Sequence, residues 1–238
     1  MKIIDSPSPN FGPRKDGKKV RFLVLHYTDT MTTEDALAIL QDSSKEVSAH
    51  YVIGDDGRIL QLVNERMRSW HAGKSCWEGE TDINSTSIGI EIQNPGHSFG
   101  YHRFPEKQIA AVMELCRDIV MRHGILPLHV LGHSDIAPGR KQDPGHLFPW
   151  ERLAQNGIGV WPNVEPAAKA PALDVADIAP LLHYYGYDPS ADQKETLIAF
   201  QRHFEPQVFT AQNLVGRADL NTVQKIKSLI LQKKAAAT

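Results

Sequence analysis

Cysteine, long apolar runs and an excess of either charge are all in short supply in this 238-residue chain. The two cysteines, Cys76 and Cys116, lie far apart, so no C-x-x-C pair is available for redox chemistry or metal binding. Cys116 falls inside an apolar helical pattern, which suits a buried free thiol, and the pair says little about redox compartment. No apolar run approaches the roughly 18 residues of a membrane span, and the opening MKIIDSPSPN lacks the apolar core of a secretory signal. A soluble, unexported, cytoplasmic protein is therefore expected, with a periplasmic one as the alternative if the true start differs. Twenty-six Lys and Arg against 28 Asp and Glu give a formal charge of -2. That balance offers no field for nucleic acid and no polybasic patch for a membrane.

What is present suits one substantial domain, or a medium one with a small companion. Residues 1–19 are polar and rich in Pro and Gly, and read as an irregular arm. The run from Val20 to Leu25 has the apolar, β-branched character of a strand buried on both faces, and it ends on His26. Thr32 and Thr33 precede EDALAILQD, a capped helix, and VSAHYVIGDDGRILQLV reads as a hairpin turning at Gly-Asp-Asp-Gly. In TSIGIEIQN the isoleucines 88, 90 and 92 alternate with Gly89 and Glu91, which turns Glu91 away from the core. An amphipathic helix carrying Ile109, Val112, Met113, Cys116, Ile119 and Val120 follows, stopping near Gly124. LPLHVLGH is then a short strand delivering His133.

These elements predict an α/β domain, a mixed central β-sheet flanked by helices, over residues 1–162. The Pro- and Ala-rich stretch at 163–176 suits a linker. Helical stripes such as Leu181, Leu182 and Tyr185, then Leu197, Ile198 and Phe200, predict a small helical domain over 177–234, with a frayed KKAAAT tail.

The segment VLGHSDIAPGRKQDPGHLFP at residues 130–149 concentrates His133, Asp135, Lys141, Asp143 and His146 among Gly and Pro, and reads as a loop. Its polar residues serve either solvent or a site. His133 and Asp143, ten positions apart, can meet on one ion if the loop folds back, though spacing alone does not demand it. Trp70 and His71, close to Trp77, suit either packing or a wall for a sugar or peptide.

Taken in order, VLHYTDT, SAHYVIGDDG, WHAG, TSIGIEIQN and GHSDIAPGRKQDPG resemble the zinc-dependent N-acetylmuramoyl-L-alanine amidases of the AmpD/AmiD type, relatives of the peptidoglycan recognition proteins. The likeness runs from about residue 20 to 161. The remainder, with YYGY and AFQRHF, resembles more weakly a peptidoglycan-binding-like domain. The resemblance implies Zn²⁺ held by His26, His133 and Asp143, with Glu91 as catalytic acid and base and Lys141 as the assisting cation. Two histidines and a carboxylate leave a fourth tetrahedral position open, the composition of a catalytic zinc site. The implied reaction is hydrolysis of the amide between N-acetylmuramic acid, or its 1,6-anhydro form, and L-alanine, in peptidoglycan fragments or muropeptides. A non-catalytic recognition module on the same fold is the alternative. Tyr27, His50, Trp70 and His71 are candidate substrate contacts, whereas His146, His97 and His203 are assigned to surface or packing.

Overall fold

The computed structural model of the chain describes residues 1–164, 172–210 and 214–236. Two three-residue strands, β1 (Ile3–Asp5) and β2 (Phe11–Pro13), precede β3 (Phe22–Tyr27), whose six residues are all buried. Helix α1 (Thr33–Leu40) starts on a capping box: the Thr32 hydroxyl accepts from the Asp35 amide while the Asp35 carboxylate accepts from the Thr32 amide. Strands β4 (Tyr51–Ile53) and β5 (Ile59–Gln61) form the expected hairpin, and β6 (Met67–Ser69) pairs back with β2. A single turn, α2 (Ile83–Thr86), feeds β7 (Ser87–Ile92). After the short α3 (Gly96–Phe99), the long α4 (Glu106–His123) ends at Gly124, whose φ of 62° is the left-handed cap that glycine supplies without strain. Then come β8 (Val130–Gly132), the single turn α5 (His133–Ile136) and α6 (Trp150–Gln155).

The main sheet runs β1-β5-β4-β7-β3-β8. Strands β4, β7, β3 and β8 are mutually parallel, and β5 opposes β4, so the sheet is mixed. Alternation along β3 and β7 divides its side chains cleanly. Leu23, Leu25, Ile88, Ile90 and Ile92 face the apolar stripe of α4, including Ile109, Val112, Cys116 and Ile119. Phe22 and Val24 face the other way, towards Trp77, Leu131 and Ile136.

That second face is covered by the C-terminal part of the chain. The two-residue strand β9 (Ala172–Leu173) pairs antiparallel with β10 (Ala218–Asp219), and three helices, α7 (Val175–Tyr185), α8 (Gln193–Phe204) and α9 (Leu220–Ala236), pack around it. Leu182, Tyr185, Leu197, Phe200, Phe204, Ile226 and Leu229 join Phe22 and Val24 in one buried cluster. A fully buried large apolar side chain stabilises by about 1.5–3 kcal/mol, against about 0–1 kcal/mol for a surface ion pair. The helices are therefore held chiefly by this shared core, and the Lys233–Glu78 ion pair at 2.6 Å is secondary.

Several expectations change. The arm at 1–19 is not wholly irregular, because β1 adds to the sheet edge beside β5 and β2 to β6. The segment 130–149 opens with a strand and a helical turn before it becomes a loop. Within the expected linker at 163–176, residues 165–171 lie outside the described residues, and α7 already begins at Val175. The tail is helical as far as Ala236.

Candidate metal centre

Three adjacent parallel strands end together, and the polar residues of interest sit at those ends. His26 in β3 is the register partner of Glu91 in β7, and Leu25 pairs with Gly132, so His133 emerges one residue beyond β8. A crevice beyond the carboxyl ends of parallel strands is where an open α/β sheet presents its reactive groups. Asp143 is brought to the same place by the loop folding back on α5, with its carbonyl accepting from the Ser134 amide at 3.0 Å.

His26 Nδ1, His133 Nδ1 and Asp143 Oδ2 then form a nearly equilateral triangle, with edges of 2.9, 2.9 and 3.0 Å. The surrounding hydrogen bonds favour one placement of the imidazole protons. Ser87 Oγ donates to the Ile83 carbonyl at 2.6 Å, so it can only accept from His71 Nε2, 2.9 Å away. His71 Nδ1 is thereby a lone pair and accepts from His26 Nε2 at 2.9 Å, which leaves His26 Nδ1 without a proton. His133 Nε2 lies 3.1 Å from the Ala72 carbonyl and 3.3 Å from Arg140 Nη2; with its proton on Nε2, donated to the carbonyl, its Nδ1 is bare as well. Two lone pairs and a carboxylate oxygen at these separations repel one another unless a cation sits among them. Two imidazole nitrogens and a carboxylate oxygen, all on buried residues and this close together, make a group that could hold a metal ion.

Electrostatics agree with that reading. Burial and the neighbouring His133 pull His26 down to about 4, keeping it neutral at ordinary pH. Glu91 goes the other way: burial and the negative Asp143 raise it well above an ordinary glutamate, with Lys141 pulling in the opposite sense. Its Oε2 is shielded from solvent and has no hydrogen-bond partner among the described residues.

Tyr27, Asp29, Thr30, Glu91, Lys141 and Asp143 line a cleft of about 340 Å³ beside the triangle, and the exposed Lys141 reaches it from the loop preceding Asp143. Of the four residues expected to meet substrate, Tyr27 lines this cleft, its hydroxyl bonded to His97 Nδ1 at 2.7 Å. His50 does not reach it. That side chain is fully buried and engaged by the Ser69 hydroxyl at 2.8 Å and the Gly89 amide at 3.0 Å. His71 also lines the cleft, but its ring nitrogens are spent on His26 and Ser87. Trp70 is half-buried, its backbone tied to Ser48.

Sequence reasoning missed the residues that hold the candidate ligands in place. Asn84 Oδ1 accepts from the amides of His71 and Ala72, at 3.0 and 2.8 Å, so one side chain sets the backbone that serves both histidines. Arg140 donates to the Ala72 and Lys74 carbonyls, pinning the same loop. Gly89 makes room, because a Cβ there would lie 2.4 Å from His71 Cγ. The glycine in G-I-E-I was the one visible signal; Asn84 and Arg140 reveal themselves only through partners distant in the chain.

A family model described as N-acetylmuramoyl-L-alanine amidase matches residues 16–146. The chain is 41% identical over 239 aligned residues to the N-acetylmuramoyl-L-alanine amidase AmiD of Escherichia coli, covering 90% of this chain and 83% of that protein. It is 32% identical over 164 residues to the 1,6-anhydro-N-acetylmuramyl-L-alanine amidase AmpD of Salmonella typhimurium, covering 62% of this chain and 86% of that one. Among solved structures, E. coli AmiD complexed with its substrate anhydro-N-acetylmuramic acid-L-Ala-D-γ-Glu-L-Lys superposes with a TM-score of 0.80 at 38% identity, over 93% of this chain and 90% of that one. AmpDh3 of Pseudomonas aeruginosa, complexed with anhydromuramic pentapeptide, gives 0.77 at 33% identity, over 92% and 94%.

Proposed function

This chain belongs to the N-acetylmuramoyl-L-alanine amidase family, and from that premise we propose that it hydrolyses the amide between N-acetylmuramic acid, or its 1,6-anhydro form, and L-alanine through zinc held by His26, His133 and Asp143. The observation that carries the metal is the triangle of two imidazole nitrogens and a carboxylate oxygen, 2.9–3.0 Å apart, on three buried residues. Zinc supplies Lewis-acid chemistry at such a site, lowering the pKa of water towards about 7 and polarising a carbonyl. Glu91, raised by burial, takes the proton of the attacking water and returns it to the leaving amine as the carbon–nitrogen bond breaks. Lys141, at the cleft wall, stabilises the negative charge that gathers on the carbonyl oxygen. Tyr27 is the best placed of the expected substrate contacts, and muropeptides are the substrates it would meet. A role for the C-terminal helices in binding cell-wall polymer, and a cytoplasmic place in wall recycling, belong to the same proposal; polymer pull-down and cell fractionation test them.

The decisive experiment measures metal content together with release of free stem peptide from an anhydromuramyl peptide. Stoichiometric zinc, activity abolished by chelation and restored by added zinc, is the expected result. Full turnover after complete metal removal would overturn the assignment, and stable binding of the muropeptide without release of peptide would favour a recognition module instead.

A further inference from the structure

The G-H-S-D motif contains a second acid, Asp135, which the chemistry above does not use. It is 1% exposed, far too buried for a solvated carboxylate without partners. Its Oδ2 accepts from the Gly132 amide at 2.7 Å, which closes the turn between β8 and α5 from which His133 projects. The other bonds to this carboxylate come from the C-terminal helical unit. His203 Nδ1 in α8 donates to Oδ2 at 2.7 Å, and the Tyr187 hydroxyl, just after α7, donates to Oδ1 at 2.9 Å. Both donors are themselves immobilised: His203 is stacked between Trp150 and Phe204, with centroids at 3.8 and 3.9 Å, and Tyr187 packs edge-on against Trp77 at 4.9 Å.

The same turn abuts the other arm of the site. A Cβ at Gly132 would lie 3.0 Å from Pro144, the residue after Asp143, and 3.2 Å from Trp150, so the turn that precedes His133 is closely packed. The Asp135 carboxylate thus bonds the turn at the start of α5, whose first residue is His133, to the C-terminal helices.

We propose that Tyr187 and His203 are positioning residues for the metal ligand His133, acting through Asp135, and that the C-terminal helices complete the metal site as part of the catalytic body. The inference rests on the zinc assignment at His26, His133 and Asp143. Groups that orient metal ligands without touching the ion change affinity by roughly 10–100-fold when removed, and the lower end of that range suits a support acting through one further residue.

The test uses the full chain with Tyr187→Phe, His203→Leu and His203→Asn, the last keeping an N–H donor near the Nδ1 position, and Leu229→Ala as a control in the same core away from Asp135. Zinc affinity is read by competition with a chromogenic chelator, and folding by thermal melting. Expected are about tenfold weaker zinc binding in Tyr187→Phe and His203→Leu, recovery towards wild type in His203→Asn, and lower melting temperature without weaker zinc binding in Leu229→Ala. Wild-type zinc affinity in folded Tyr187→Phe and His203→Leu would overturn the positioning role while leaving the metal assignment standing, and so would an equal loss in Leu229→Ala. Failure of the wild-type chain itself to bind zinc would overturn both.

Discussion

At the scale of single residues, Glu91 and His133 make separable predictions. Glu91→Ala removes the proposed proton carrier and leaves the triangle intact, so zinc should stay bound while kcat falls about 10²–10⁴-fold. His133→Ala removes a proposed ligand and should lose metal and turnover together. Metal analysis beside peptide-release kinetics separates the two, and near-normal kcat in Glu91→Ala would sink its assignment. Lys141→Ala should keep zinc and lose roughly 10²–10³-fold in kcat if the ammonium supports the oxyanion; a change confined to KM would instead make it a binding residue. The candidate ligands were legible because each lies in a motif with a distinctive neighbourhood. His71 was visible too, but its task was not: whether an imidazole meets substrate or orients another imidazole depends on Ser87 and Ile83, which local sequence does not bring together.

At the scale of elements, β7 carries two jobs on alternate positions. Its isoleucines fill the core, and its opposite face gives up volume at Gly89 so that His71 can stand behind His26. Gly89→Ala drives a methyl into the His71 ring, for which overpacking costs of about 1–3 kcal/mol are typical. The expected outcome is a lower unfolding free energy and zinc affinity reduced about 10–100-fold, measured by denaturant titration and chelator competition; unchanged metal affinity would show that His71 does not orient His26. The strands with strong intrinsic patterns, β3 and β7, and the β4–β5 hairpin could be read in advance. Strands β1, β2 and β6 could not, since each has three residues and exists by virtue of a partner elsewhere in the chain.

At the scale of the whole molecule, the C-terminal helices share a core with the sheet, which predicts cooperative behaviour. Phe200→Ala, opening a cavity in that shared core, should cost about 3–5 kcal/mol and preserve a single unfolding transition. Two separated transitions would mark the helices as an independent module. Acid should act on the same contact. Glu78 is bonded by His129 and by Lys233 of α9, which hold its carboxyl down at about 2 against an ordinary 4.5. A carboxylate depressed on folding contributes stability that is fully present above about 4.5 and is lost as pH falls towards about 2. The melting difference between wild type and Glu78→Gln should therefore be largest near neutrality and shrink through that window; a difference that stays constant down to pH 2 would dismiss the linkage. The helical character of this region was plain from its stripes, but its union with the sheet was not, because which apolar face meets which is decided only in three dimensions.

That union also makes the protein its own optical gauge. Of its four tryptophans, Trp77 lies against Tyr185 and Tyr187, Trp150 is stacked on His203, and Trp161 neighbours Phe204. Intrinsic emission therefore reports mainly on the boundary between sheet and helices, with Trp70 alone stationed elsewhere. Any event that loosens the helices, whether mutation, acid or loss of metal, should register as a red shift of indole fluorescence without a label.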